Sequence, residues 1–105
     1  MGLYNVGGST QAITKASAWT GSTYASTVAI AEAAEADATA VKAVIENRGS
    51  VDIYFGFGGS APASTATMLK LPPGFGWLED GASAAHLKIW IGGGVSSVLI
   101  ARWTA

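Results

Sequence analysis

The sequence predicts an all-β chain: a single antiparallel β-sandwich, of jelly-roll or immunoglobulin-like size, with an extended N-terminal arm. Three observations carry that expectation. Short runs of alternating apolar and polar residues recur over residues 40–103. Gly- and Pro-rich breaks separate them. No long segment carries a helical apolar stripe; the stretch 29–43 has helix-forming composition, but its apolar positions are mostly Ala. The 105 residues fit one domain.

Residues 1–25 are read as the arm and 26–105 as the sandwich. The arm is rich in Gly, Ser, Thr and Ala, and charges are sparse before Glu32. Weak strands are expected at 12–16 and 26–30, and 32–39 reads as a connection with one helical turn. Residues 40–46 then alternate loosely, with Val41, Ala43 and Ile45 on one face and Lys42 and Glu46 on the other. The polar turn 47–50 follows, its Gly49 suited to a positive φ. Next, Val51, Ile53, Phe55 and Phe57 share one face, and Asp52 and Tyr54 the other. Two alternating runs joined by a short polar turn predict a β-hairpin.

Residues 58–65 form a loop by composition, and 67–71 a short strand. Pro72-Pro73-Gly74 fits a type II turn, with Pro73 and Gly74 at its two central positions. Extended structure resumes at 75–79 and ends at Asp80-Gly81. Residues 86–91 alternate cleanly, Leu87, Ile89 and Ile91 against His86, Lys88 and Trp90. Gly92-Gly93-Gly94 is a turn. The final strand, 95–103, is apolar on both faces, which points to burial on both sides or to a contact between subunits.

Composition limits the function classes. Net charge is −1, with six basic and seven acidic residues, and no basic stripe exists to neutralise phosphates, so no nucleic-acid partner is expected. No apolar run reaches the ~18–20 residues of a membrane span, and the N-terminus lacks the pattern of a signal peptide. With no cysteine, neither a disulfide framework nor a thiolate metal site is available. Charged residues make up only 12%, about half the average share for a soluble domain, which points to a surface partly covered by partners.

No catalytic set can be assembled, so an enzyme is not expected, and no cofactor or metal is implied. His86 is alone and reads as an exposed strand residue. Gly56-Phe57-Gly58-Gly59-Ser60-Ala61 loosely matches a dinucleotide fingerprint, but Pro62 follows where a helix must start. Glu79-Asp80-Gly81 lacks the ligand spacing of a calcium loop. The candidate functional residues are therefore aromatic assembly contacts: Tyr4, Trp19 and Tyr24 as anchors of the arm, together with Trp77, Trp90 and Trp103. Trp90, on the polar face of its strand, also fits a sugar-stacking module or adhesin.

The run 40–56 resembles a module of small virion proteins of tailed bacteriophages. That module pairs a strand ending in Ile-x-Asn-x-Gly with one of the kind Val-x-Ile-Tyr-x-Gly. It continues through a Ser/Thr/Gly loop to a Leu-x-Pro-Gly turn and ends in two strands joined by a Gly-rich turn. Here the parts are Ile45-Glu46-Asn47-Arg48-Gly49, residues 51–56, Leu71-Pro72-Pro73-Gly74, residues 87–91 and residues 98–103. The resemblance spans roughly residues 26–103; the doubled proline followed by Phe75-Gly76-Trp77 departs from it. It implies a β-sandwich subunit that decorates or cements a capsid, made in the host cytoplasm and carried on the virion. Its implied partners are its own copies, often as a homotrimer, and the major capsid protein. A neck, tail or fibre-base role is the alternative.

Overall fold

A computed structural model describes residues 2–5 and 19–104. It is an all-β sandwich of two antiparallel sheets. The strands are β1 (Gly2–Asn5), β2 (Trp19–Ala25), β3 (Ala31–Ala34), β4 (Ala40–Asn47), β5 (Ile53–Gly58), β6 (Leu69–Leu71), β7 (Phe75–Glu79), β8 (Lys88–Gly92) and β9 (Ser97–Thr104). One sheet has the order β1-β7-β4-β9-β2, the other β3-β8-β5-β6. A 3-10 turn (Thr65–Thr67) precedes β6, and a one-turn helix, α1 (Ala82–Ala85), precedes β8.

The core lies between the sheets. Ile45, Val98 and Ile100 from the five-stranded sheet meet Ile53, Phe55, Leu71, Ile89 and Ile91 from the four-stranded one. Where a strand supplies two of these residues they stand two apart, so one face of β4, β5, β6, β8 and β9 is turned to the interior. At about 25 cal/mol per Å² of apolar surface removed from water, this layer is the main stabilising term. Trp77 packs onto it, its ring 5.6 Å from that of Phe55.

The outer face of the five-stranded sheet is apolar too. Val44, Ala101 and Trp103 are buried there, with Tyr4, Val41 and Leu78 against them. The two-faced pattern of the last strand is thus satisfied by burial on both sides within one chain. Val41 was expected beside Ala43 and Ile45. A register shift between Ala40 and Lys42 in the β4–β9 pairing reverses the parity, placing Val41 with the outer cluster.

The expected hairpin at 40–57 is not one. Its two strands form, but β4 belongs to one sheet and β5 to the other. Tight hairpin turns need residues at positive φ. Among the described residues only Gly2, Gly74 and Gly93 have one, so Gly49 does not take the left-handed conformation. The link 48–52 is instead a corner that carries the chain across the sandwich. The type II turn is as expected: Phe75 N–H donates to Pro72 O at 3.2 Å, with Gly74 at φ +81°.

The arm is also corrected where it is described. Within 1–25, β1 pairs with β7 and β2 pairs along seven residues with β9, so both are strands of the sandwich. β1 is too short and β2 too rich in small residues to show an apolar alternation, and their pairing partners lie 70 or more residues away. The strand expected at 12–16 lies outside the described residues. The one expected at 26–30 starts at Ala31 instead, so part of the expected 32–39 connection is β3. Strand β8 begins at Lys88 rather than at His86, because α1 closes with Leu87 N–H donating to Ala84 O. Leu87 is consequently exposed, while Ile89 and Ile91 face inward as expected.

Candidate assembly surface

Four loops meet at one end of the sandwich, and Asn47 holds them. Its side chain is completely buried, and all four of its hydrogen-bonding positions are used. Nδ2 donates to Val51 O at 2.8 Å and to Leu71 O at 2.9 Å. Oδ1 accepts from Gly49 N–H at 3.1 Å and from Ser96 Oγ at 2.6 Å. One amide therefore ties the end of β4 to the corner, to the end of β6 and to the segment entering β9. A buried polar group is tolerated only when satisfied in this way.

Gly49 is needed for a close approach. A Cβ there would overlap Ser96 Oγ and come within 2.8 Å of Ser97 N. Ser26 fixes the third loop: its Oγ donates to Gly94 O at 2.6 Å and accepts from Ser96 N–H at 2.8 Å. The Gly92–Gly94 turn rests on the corner so closely that a Cβ on Gly94 would lie 2.5 Å from Asp52 O. Gly93 N–H donates to Val28 O at 3.0 Å.

What this end presents outward is apolar. Val28 is 72% exposed, Val95 67% and Val51 41%. Beside them is an open cleft of about 390 Å³ lined by Thr23, Tyr24 and Ala25 of β2 and by Gly49, Ser50 and Val95. Single exposed valines are ordinary; three on loops that are locked together form a preorganised apolar surface.

The outer face of the five-stranded sheet holds a second polar constellation. Glu46 is 3% exposed and accepts from Tyr4 Oη at 2.5 Å and from Arg48 Nη2 at 2.6 Å. Burial, followed by the adjacent carboxylate, pushes the Tyr4 phenol far above its ordinary range, so it stays a donor. Tyr4 lies flat over Gly76, where a Cβ would come within 2.5 Å of its ring.

At the opposite end Arg102 is buried and donates to Glu35 O and Leu87 O at 2.5 and 2.6 Å. Its burial holds its pKa below the usual value, against the opposing pull of Asp37. The Asp37 carboxylate accepts from Thr39 Oγ1 at 2.6 Å and Thr39 N–H at 3.0 Å. Those bonds lower its pKa below 3.8. The sign follows: this stabilisation is present above the unfolded pKa and is lost as pH falls through the folded one. A carboxylate titration followed by NMR is expected to give Asp37 a midpoint below 3.8. A midpoint at or above that value would contradict the Thr39 bonds.

The candidate aromatic contacts separate on inspection. Trp103 is 7% exposed and Trp77 packs on the interior, so both belong to the chain's own fold. Tyr4 is anchored to its own Glu46, and Tyr24 packs partly against the core. Trp90 lies half-buried on the outer face of the four-stranded sheet, with Nε1 donating to Gly58 O at 3.0 Å and Lys88 Nζ 6.0 Å from its ring. Trp19 is known by register alone, opposite Trp103. Val28, Val95 and Asn47 were not singled out as functional residues in the sequence, and Val51, expected on the apolar face with Ile53, instead precedes β5 and stands exposed. The Ile45-x-Asn47-x-Gly49 spacing was the available signal for Asn47.

Among the described residues no group of three or more His, Cys, Asp or Glu side chains could hold a metal ion, and no helix is long and apolar enough to cross a membrane. The fold and surface together define a two-sheet β-sandwich with one rigid apolar end. No family model matches the chain, and no curated protein matches it. One solved structure is similar, a chain from a study of Bacillus endospore appendages, described there as a novel family of disulfide-linked pili. It is 10% identical, with 82% of this chain and 84% of that chain covered and a TM-score of 0.49.

Proposed function

We propose that the chain is a structural subunit of a tailed-phage virion, a decoration or cement protein that stabilises the head by packing against its own copies and the major capsid protein. The observation that carries the assembly part is the locked apolar end, where Val28, Val51 and Val95 stand exposed and Val95 borders an open cleft. Surfaces of this kind mark protein contacts. The virion part rests on the resemblance in residues 26–103, whose Ile-x-Asn-x-Gly element is the residue set that builds this end.

The test is reconstitution on purified heads lacking the protein. Added protein is expected to bind at fixed stoichiometry and to raise the temperature at which the heads rupture, and electron microscopy then places it on the particle. Val95→Lys, at an exposed position, is expected to weaken binding at least tenfold while leaving the unfolding temperature of the free protein unchanged. Absence of binding by the unaltered protein to heads, necks and tails alike would sink the proposal.

A further inference from the structure

The four sheet edges are not alike. Strand β1 has four residues. Strand β3 has four, carries Glu32 and shifts register between Glu32 and Ala34. Strand β6 has three and carries Lys70. Shortness, a bulge and a charge are the devices by which proteins keep sheet edges from pairing with other chains. Strand β2 has none of them. It runs seven residues, Trp-Thr-Gly-Ser-Thr-Tyr-Ala, without charge or proline, and keeps an unbroken register with β9.

We propose that β2 is the interface with a second copy of this chain, the two β2 strands pairing antiparallel across a two-fold axis and joining two five-stranded sheets into one. The occupant follows from length and charge. Of the four edges only another β2 offers seven residues to pair with seven. Two-fold pairing sets a strand against itself, so any charge near its centre would meet its own copy; β2 carries none. Pairing through β2 and β1 instead would use only four residues and would leave a free edge at each end, giving open filaments.

The register that pairs all seven residues is centred on Ser22. It sets Trp19 of each copy opposite Ala25 of the other, beside the cleft lined by Thr23, Tyr24 and Ala25. The inference shares with the proposed function the premise of self-packing and the β2 residues Thr23, Tyr24 and Ala25 that line the cleft.

Sedimentation equilibrium of the full chain tests it. The expected mass is twice 10.6 kDa at micromolar concentration. Thr23→Lys, at an exposed position on β2, is expected to weaken the dimer at least tenfold without changing the unfolding temperature of the dilute protein. Trp19→Ala is expected to weaken it too. Amide exchange over residues 19–25 is expected to slow as concentration rises, which a merely structural role for β2 would not produce. A monomer at ~1 mM, a trimer, open filaments, or a dimer indifferent to Thr23→Lys would each overturn it. Binding to heads is read separately by the reconstitution with Val95→Lys, whose position lies outside β2.

Discussion

Asn47→Ala is expected to cost about 3–5 kcal/mol of folding stability, from the loss of four hydrogen bonds at a site water does not reach. The bonds themselves contribute only about 1 kcal/mol each, because the unfolded chain bonds to water instead. The larger part is what remains: the carbonyl of the fully buried Leu71 loses the donor that Nδ2 supplies, at a site shielded from water. A small domain has about 5–15 kcal/mol in total, so this single substitution approaches the whole margin. Urea denaturation reads it as a fall in midpoint at constant slope. Asn47→Asp retains the acceptor oxygen and replaces the donor with an oxygen facing two carbonyls, so it is expected to cost at least as much at neutral pH. Its loss should shrink on acidification, where a protonated carboxyl regains one donor. A cost below about 1 kcal/mol for Asn47→Ala would show that the corner is held by something other than this amide.

Asn47 also shows where reading the sequence stops. The alternation at 86–91 identifies Ile89 and Ile91 as interior residues, because a strand's period of two is a local property. The type II turn at Pro72–Phe75 is equally local, since Pro73 and Gly74 impose its dihedral angles themselves. Whether the chain turns back on its own sheet after β4 or crosses to the other is not local. That depends on Asn47 meeting Leu71, 24 residues on, and Ser96, 49 residues on. A polar turn between two alternating runs fits both outcomes. The misplaced face of Val41 has the same origin: the register shift that moves it is a feature of the pairing with β9, visible only once both strands are side by side. Strands β1 and β2 were hidden differently: β1 is only four residues long, and the Gly, Ser and Thr of β2 leave no apolar period to detect. The three valines at the apolar end lie on separate loops and come together only through Ser26, Asn47 and the Gly92–Gly94 turn.

The tryptophans separate folding from assembly experimentally. Trp77→Ala is expected to cost about 2–3 kcal/mol, below the ~3–5 kcal/mol of a fully buried aromatic because its ring is only partly buried against the core. Trp77 lies against Phe55 and the interior cluster, so removing its ring strips contacts from side chains that are otherwise fully buried. Its indole N–H also donates to Glu79 Oε1 at 3.3 Å, and losing that bond frees a mostly buried carboxylate near α1. Trp90→Ala removes a half-buried ring and one bond to Gly58 O, for an expected cost of about 1 kcal/mol. Trp19→Ala, on the edge strand, should act chiefly on self-association. Measured side by side by thermal unfolding at low concentration and by sedimentation at high concentration, the three substitutions should rank Trp77 first in the former and Trp19 first in the latter. If Trp77→Ala spared stability and dissociated the oligomer, the aromatic layer between the sheets would have to be reassigned from core to interface. Fluorescence decides between these at once, because a core indole gives a blue-shifted emission that the dilute monomer already shows, whereas an interface indole acquires it only on association.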